Sequence, residues 1–565
     1  MNICKPVSLV AIALLILSAG SQRLAAQDSP PAAVIAISGY DELMGDIDFI
    51  GSLADQPGAS QQLEMMVNMF TQGQGVVGLD KSKTLGVILQ AGGPMGFGGA
   101  VCIPVSDLGE FLNGLAAFNV QSADKGDGMF EVSANGQMLY SKEQGGWATI
   151  APMPDMLGSL PADPGGAITE LSENYDIGAR IHVQSIPEAF RRQLFDYFSS
   201  ATNQNVRQEA GESDADFANR KETIEAQLKQ AQQRIDEMDE VTVGIAIDGQ
   251  EQRVFMDVEY TAIPGSDLAN TLAANADVRT NYAGFFQPDS AMMASFAQNV
   301  DPVSMAQVDQ QLDAARKQAH RAVDDEEQIA SDESKQLMKD AIDDFLDAFA
   351  ATLRGGTMDG GAVMMLEPDG LTFVAGGLML DTAKVEEGLK KVAQVSDDEK
   401  LGMPPISWNA ESYGDMSFHT LSHPTGDDEA AQQLFGDKVD IAIGIGDKSV
   451  MFAAGRNWLA AVKKVIEGSQ AEPNKSVPLA EVTVSLAPIF DAMAALGDED
   501  KRDMLRSIAD MLANNASGRD KVKMIAKAVP NGAQTRIELE EGVLRAIGAG
   551  IKEGQRQQQR AGAGF

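Results

Sequence analysis

The stretch YDIGARIHVQSIPEAFRRQLFDYF, Tyr175–Phe198, decides how this chain is read. Apolar residues alternate at Ile177, Ala179, Ile181 and Val183, then Pro187 stands where a helix begins, with Phe190 on its first turn. Alternation marks a half-buried strand, and proline suits a first helical position because its missing N–H would have no intrahelical partner there. A shorter counterpart, LAEVTVSLAPIFDAMAALGD, returns at Leu479–Asp498 with Val482, Val484 and Leu486 alternating before Pro488 and Phe490. Strand, proline turn and amphipathic helix in both places predict an internal duplication, with Pro187 and Pro488 at equivalent positions.

Working outward, the same order of elements reads twice, over 33–276 and 280–552. In the first half AVIAIS, Ala33–Ser38, is a buried strand followed by helices over Tyr40–Leu53 and Ala59–Phe70. Three apolar runs, GVVGL, LGVIL and GGAVCIPV, separated by turn residues, read as an antiparallel meander. A helix over Asp107–Phe118 capped by Ser106 follows, then strands MFEVSAN and QMLYSK and a surface loop at Ser159–Gly166. Between Asn203 and Glu240, Phe217, Ile224, Leu228, Ala231, Ile235 and Met238 form a heptad-like seam, which predicts one long helix. A hairpin around Gly249 and a helix from Asp267 close the half.

In the second half NYAGFF, Asn281–Phe286, takes the place of AVIAIS, and acidic, alanine-rich helices cover about 303–323 and 332–353. A meander, GGAVMMLEPDGLTFVAGGLML, a helix at Ala383–Val395, a VDIAIGI/SVMFAAG hairpin and a helix at Asn457–Glu467 lead to the second copy of the opening motif. A helix over Asp500–Ala513, the strand QTRIELE and a helix over Gly542–Ile551 complete it, and 553–565 reads as a flexible tail. The fold expectation is α+β: two related halves, each a mainly antiparallel sheet with helices on one face, plus long acidic amphipathic helices. Identity between the halves is low, so chance likeness of strand and helix units stands as the alternative.

The first 26 residues have Lys5, an uncharged run from Val7 to Leu17 and a Leu-Ala-Ala end at Leu24–Ala26, the plan of a cleavable secretory signal. The apolar run is too short to span a bilayer comfortably, although retention as an anchor is the alternative. Cleavage would leave Cys102 as the single cysteine, so no intrachain disulfide would hold the exported protein. Formal charge is −38, with 82 acidic against 44 basic residues. Such a field repels phosphate backbones and anionic lipid, arguing against nucleic-acid binding and basic-patch membrane binding, and attracts cations, basic proteins and amine-bearing polymers.

Signals for chemistry are sparse. The histidines are His182, His320, His419 and His423. An extended backbone puts His419 and His423 on one face but about 13 Å apart, at about 3.3 Å per residue, too far to grip one metal. Ser122-x-x-Lys125 lies in the polar stretch QSADKGDG, read as a loop, and Cys102 falls in an apolar strand as a buried thiol. GGPMGFGG and GIGDKS read as hairpin turns, because neither opens a helix that could hold a phosphate. Asp324, Asp325, Glu326 and Glu327 read as a solvated helix face or loop. Among the 27 methionines, Met65, Met66, Met69, Met364 and Met365 are expected in cores, with a Met-lined groove for lipid or peptide as the functional alternative. No catalytic, cofactor-binding or metal-binding residues are assigned, and no cofactor.

The combination of secretory signal, acidic charge, Met- and Gly-rich meanders and repeated strand–helix units resembles uncharacterised secreted proteins of planctomycete-type bacteria. The resemblance rests on the general plan and implies a cell-envelope address, periplasmic or extracellular, without an activity. The expected function is a non-enzymatic envelope protein that binds a partner protein or an apolar ligand, with no integral membrane segment once the signal is removed. A secreted hydrolase and a scaffold assembling through its long helices are the alternatives.

Overall fold

A computed structural model describes residues 30–53, 56–91, 97–158, 160–161, 163–208, 213–300, 305–367, 370–399, 401–496, 499–515 and 518–550. The expected signal over 1–26, the tail over 553–565 and most of the GGPMGFGG turn lie outside them. The structure is mixed, 44% helical and 33% strand, with antiparallel pairing throughout the registers described below. The chain divides into two compact units at Asn270/Thr271, inside one short helix.

Unit 1 begins with β1 (Ala33–Ile37), α1 (Tyr40–Leu53) and α2 (Ala59–Phe70). Then come β2 (Leu85–Ala91), β3 (Phe97–Pro104), α3 (Leu108–Gly114), β4 (Gln121–Gly126), β5 (Met129–Ala134), β6 (Gln137–Gln144) and β7 (Trp147–Ala151). α4 (Pro154–Leu157), α5 (Pro164–Ser172), β8 (Ile177–His182), α6 (Glu188–Asn205), α7 (Asp214–Glu237), β9 (Met238–Asp248), β10 (Arg253–Ala262) and α8 (Asp267–Ala274) follow. Pairing runs β4-β5-β6-β7-β3-β2-β1-β8-β9-β10.

Strand alternation sends residues to two faces, and both faces are covered, whereas helices on one face were expected. Val34, Ile88, Cys102 and Trp147 meet Met156 of α4 and Ile168 and Leu171 of α5 on one side. Leu108, Phe111 and Leu112 of α3 pack with Val132, Leu139 and Ala148 on the other.

Unit 2 holds β11 (Met292–Asn299), α9 (Met305–Asp325), α10 (Asp332–Arg354), β12 (Thr357–Glu367), β13 (Gly370–Leu378) and α11 (Thr382–Glu399). It continues with β14 (Ser407–Tyr413), β15 (Met416–Pro424), α12 (Glu429–Phe435), β16 (Lys438–Ile445), β17 (Ser449–Gly455) and α13 (Trp458–Ala471). β18 (Ala480–Ser485), α14 (Leu486–Leu496), α15 (Glu499–Asn515), β19 (Lys521–Val529), β20 (Gly532–Glu540) and a helix over 541–550 (α16) end it. Its pairing runs β14-β15-β16-β17-β13-β12-β11-β18-β19-β20, the same order strand for strand as unit 1. α13 packs Trp458, Val462 and Val465 against Phe418, Val374 and Val363 of the sheet. Val323, Ile329 and Val395 form a separate small core shared by α9, α10 and α11.

Several expectations need correction. The first meander run, GVVGL, contributes only an isolated bridge from Leu79 to Val105, because its glycines Gly75 and Gly78 take positive φ and turn the chain. QSADKGDG holds the edge strand β4 in place of a loop, since its backbone pairs with β5 although its side chains stay mostly in water. The loop expected over Ser159–Gly166 ends at Asp163, whose side chain caps α5, and its last three residues, from Pro164, form the first turn of that helix. The cap of α3 is Asp107, whose carboxylate accepts from Glu110 N–H at 2.7 Å, one residue later than expected.

The long helix expected over Asn203–Glu240 is α7, Asp214–Glu237, with narrower bounds: Asn203–Asn205 end α6 and Met238 already belongs to β9, so the heptad seam ends at Ile235. NYAGFF is a 3-10 turn; the strand in the place of AVIAIS is β11. The prolines also differ. Pro187 caps α6 after a 3-10 turn, while Pro488 is the third residue of α14, which follows β18 directly; the first turn of a helix accepts proline at any of these sites. Met65, Met66 and Met69 face solvent, at 70%, 43% and 69% exposure.

Candidate ligand-binding cleft

β14 is an edge strand with the sequence SWNAESY, exposed along nearly its whole length. Its pairing with β15 slips between Ser407 and Glu411, and Asn409 within the slip has φ 50, a left-handed conformation that asparagine tolerates. The bulge aims the Asn409 N–H at the His419 ring, whose Nδ1 accepts it at 3.1 Å. A bulge re-aims side chains next to it. Trp408, beside it, makes an edge contact with that imidazole, ring centroids 4.9 Å apart, and remains 37% exposed.

His419 and Phe418 point to opposite faces of β15: Phe418 goes into the core under α13, and His419 lies near Glu386 and Lys390 of α11. His419 is 4% exposed, and its Nε2 has no hydrogen-bond partner. Burial lowers its pKa, with the Glu386 charge opposing and the Lys390 charge reinforcing the shift. The ring is therefore neutral near pH 7, with Nδ1 the acceptor and the proton on Nε2.

α11 supplies the facing wall. Lys390, Ala393, Gln394, Asp397 and Asp398 recur at helical spacing on one side and, with Trp408, line an open cleft of about 440 Å³. Lys390 Nζ is 2.7 Å from Glu386 one turn earlier. A smaller cavity of about 150 Å³ lies between residues 275–278, 476–479 and 527–528. Neither wall set includes a methionine, so the expected Met-lined groove is not at either cavity.

Other titratable groups serve joints. Asp46 of α1 is pushed up to about 7, chiefly by burial and then by the charge and hydrogen bond of Asp176, with Glu42 adding a smaller push. Asp176 is itself occupied, taking the Ile247 N–H on its carboxylate at 2.6 Å and the Ser38 N–H on its carbonyl at 2.7 Å. Ser38 is fully buried, which closes its hydroxyl to a substrate. His182 bridges Pro31 O at 2.8 Å and Glu240 at 3.2 Å, and the hydrogen bond to Glu240 raises its pKa. His320 meets Asp343 at 2.9 Å, and His423 is exposed on β15 four residues from His419.

Cys102 is fully buried, its pKa raised to about 12 by that burial. Lys125 pairs with Glu131 at 2.9 Å, and Ser122 sits opposite Val132 in the β4–β5 ladder. GIGDKS turns between β16 and β17, where Gly446 N–H donates to Ser449 O. Asp324 ends α9 and pairs with Lys339 at 2.5 Å. Sequence reasoning passed over Trp408, Asp397 and Asp398, because only the antiparallel pairing of β14 with β15 and the packing of α11 bring them together. The one available signal was a tryptophan in an otherwise polar strand.

Comparisons of the chain with protein-family models, with curated proteins and with solved structures return no match. No helix among the described residues is long and apolar enough to cross a membrane.

Proposed function

We propose that this is an exported, non-enzymatic protein of the cell envelope that binds a small ligand in the cleft between α11 and Trp408. The observation that carries the reading is Trp408 itself: an aromatic ring 37% exposed on an edge strand, on the wall of a shallow, open depression of about 440 Å³. Export rests on the signal pattern over 1–26, and a planctomycete-type source rests on general likeness of plan. The hydrolase alternative is weaker, because Asp176, the neighbour of Asp46, already ties the chain after β1 to β9 through Ser38 and Ile247 N–H, and the Ser38 hydroxyl is buried.

A second reading, docking of a partner protein, is favoured by one observation. Tyr197, Phe198 and Leu194 of α6 are 78%, 60% and 54% exposed, on the helix of the opening motif. Clustered apolar exposure of this kind marks interaction surfaces. Native mass spectrometry of protein taken from its source envelope separates the two readings. A small bound mass lost in Trp408→Ala supports the cleft, a bound chain lost in Tyr197→Ser supports docking, and a bare monomer sinks both.

We also propose that the two units descend from one duplicated unit carrying long acidic amphipathic helices between its strands. The matching order of ten strands supports this, since a meander of that length has many alternative orders.

A further inference from the structure

We propose that the α11–Trp408 cleft takes an organic ammonium ion, a small molecule bearing a quaternary or primary amine. This rests on the reading of the cleft as a binding site. Lys390 is the one cation among the described lining residues, and its ammonium is held by Glu386 at 2.7 Å, so the pair contributes little net charge to the cleft. Asp397 and Asp398 are both exposed and have no basic partner among the described residues. Lys400, two positions on, lies outside the described residues.

Behind the tryptophan, His419 stays neutral because it is buried, so it adds no competing positive charge. Two carboxylates without a basic partner among the described residues, and an exposed indole, are the groups that attract an organic cation: the ring face through its quadrupole, the carboxylates through charge. A net formal charge of −38 raises the local concentration of cations further. An anion would find no donor array here, since Lys390 is the one basic residue among the described lining residues and is already paired with Glu386.

The experiment is isothermal titration of the full chain with choline, with its neutral carbon isostere 3,3-dimethylbutan-1-ol, with glucosamine and with glucose, in low and moderate salt. Choline or glucosamine is expected to bind at least tenfold more tightly than its neutral counterpart, with affinity falling as salt rises. Trp408→Leu, checked for folding by circular dichroism, is expected to weaken binding at least tenfold, and Asp397→Asn with Asp398→Asn roughly three- to tenfold. Phosphatidylcholine vesicles form a parallel arm: binding to vesicles or to free choline, if lost in Trp408→Leu, supports the ammonium and tells a lipid headgroup from a free solute.

Equal binding of choline and its isostere, or ammonium binding indifferent to Trp408→Leu, overturns the proposal. Trp408-dependent binding of glucose alone overturns the ammonium while leaving the cleft as a binding site. No response to any probe, together with absence of a Trp408-dependent mass in native spectra, overturns both.

Discussion

In unit 1 the large aromatic of the inner core stands on the sheet: Trp147 of β7 lies against Gly165 of α5, where even a methyl group would overlap the indole. In unit 2 it stands on the helix: Trp458 of α13 packs on Phe418 of β15, centroids 5.5 Å apart, and Phe418 in turn occupies the space left by Gly444. A second difference lies at the opposite face. The helix after the third strand is seven residues long in unit 1 and 18 in unit 2. The C-terminal part of the longer α11 shares an open depression with Trp408 of the edge strand, while the edge strand of unit 1, Gln121–Gly126, offers no aromatic side chain. One strand order thus tolerates exchanged packing at its core and gains a site where a helix lengthens.

The largest effects test the exchanged anchors. Trp147→Ala and Phe418→Ala each remove a buried ring and are expected to cost about 3–5 kcal/mol in urea unfolding. Gly165→Ala adds one methyl group against Trp147 and is expected to cost about 1–3 kcal/mol by overpacking. Trp147 also donates its indole N–H to Thr84 O at 3.0 Å, so Trp147→Phe should lose more than ring area alone predicts. If Gly165→Ala were neutral, the fit of the sheet-borne anchor to α5 would not be what holds that layer.

Next in size is the pH response of Asp46 in unit 1. Its folded pKa, about 7, lies above the usual carboxylate value, so the folded state keeps a proton that the unfolded chain has released. Stability therefore declines as pH rises from about 4 to about 7 and is level beyond. Asp46→Asn should remove that decline: no difference at pH 4, and about 1 kcal/mol of gain at pH 8 once solvent screening of this half-exposed group is discounted. Urea midpoints across that range check it, and a decline that persists in the variant would place the proton elsewhere. One carboxylate of unit 2 is the opposite case. Glu399 accepts N–H groups of Ala330 and Ser331 and the Ser331 hydroxyl, which hold its pKa down to about 2, so its contribution is present at neutral pH and lost as pH falls toward 2.

How much of this was readable in the residues depended on whether the signal was local. The apolar runs AVIAIS and LGVIL, bounded by turn residues, and the helical spacing of Leu63, Val67 and Phe70 placed β1, β2 and α2 where they stand, because such signals are local to each element. Strand β4 was misread because an edge strand needs only backbone partners and leaves its side chains polar. Met65 and Met69 were misplaced because composition says that a thioether suits a core and cannot say which helix face meets one. The cleft was illegible for a different reason: Asp397 and Trp408 are brought together across the irregular chain over 401–406, whose path no local pattern encodes, and the Asn409 bulge that aims the strand at His419 is a tertiary outcome.

The smallest effect compares two histidines of opposite sign. His182 of unit 1 has a raised pKa through Glu240, so its contribution to stability is full below about pH 6.5 and fades as pH climbs through the folded value. His419 of unit 2 has a lowered pKa through burial, so the unfolded chain takes up a proton first and stability falls as pH drops below about 6.5. Proton NMR of the imidazole C–H groups should therefore show His182 titrating above, and His419 below, the ordinary histidine range. Glu240→Gln should bring His182 down while leaving His419 unmoved. Trp408→Leu should do the reverse, bringing His419 up toward its ordinary value as water reaches Nε2. A His419 resonance that titrated normally in the intact protein would mean that Trp408 does not shield the ring, and the cleft wall would then be looser than the bulge at Asn409 implies.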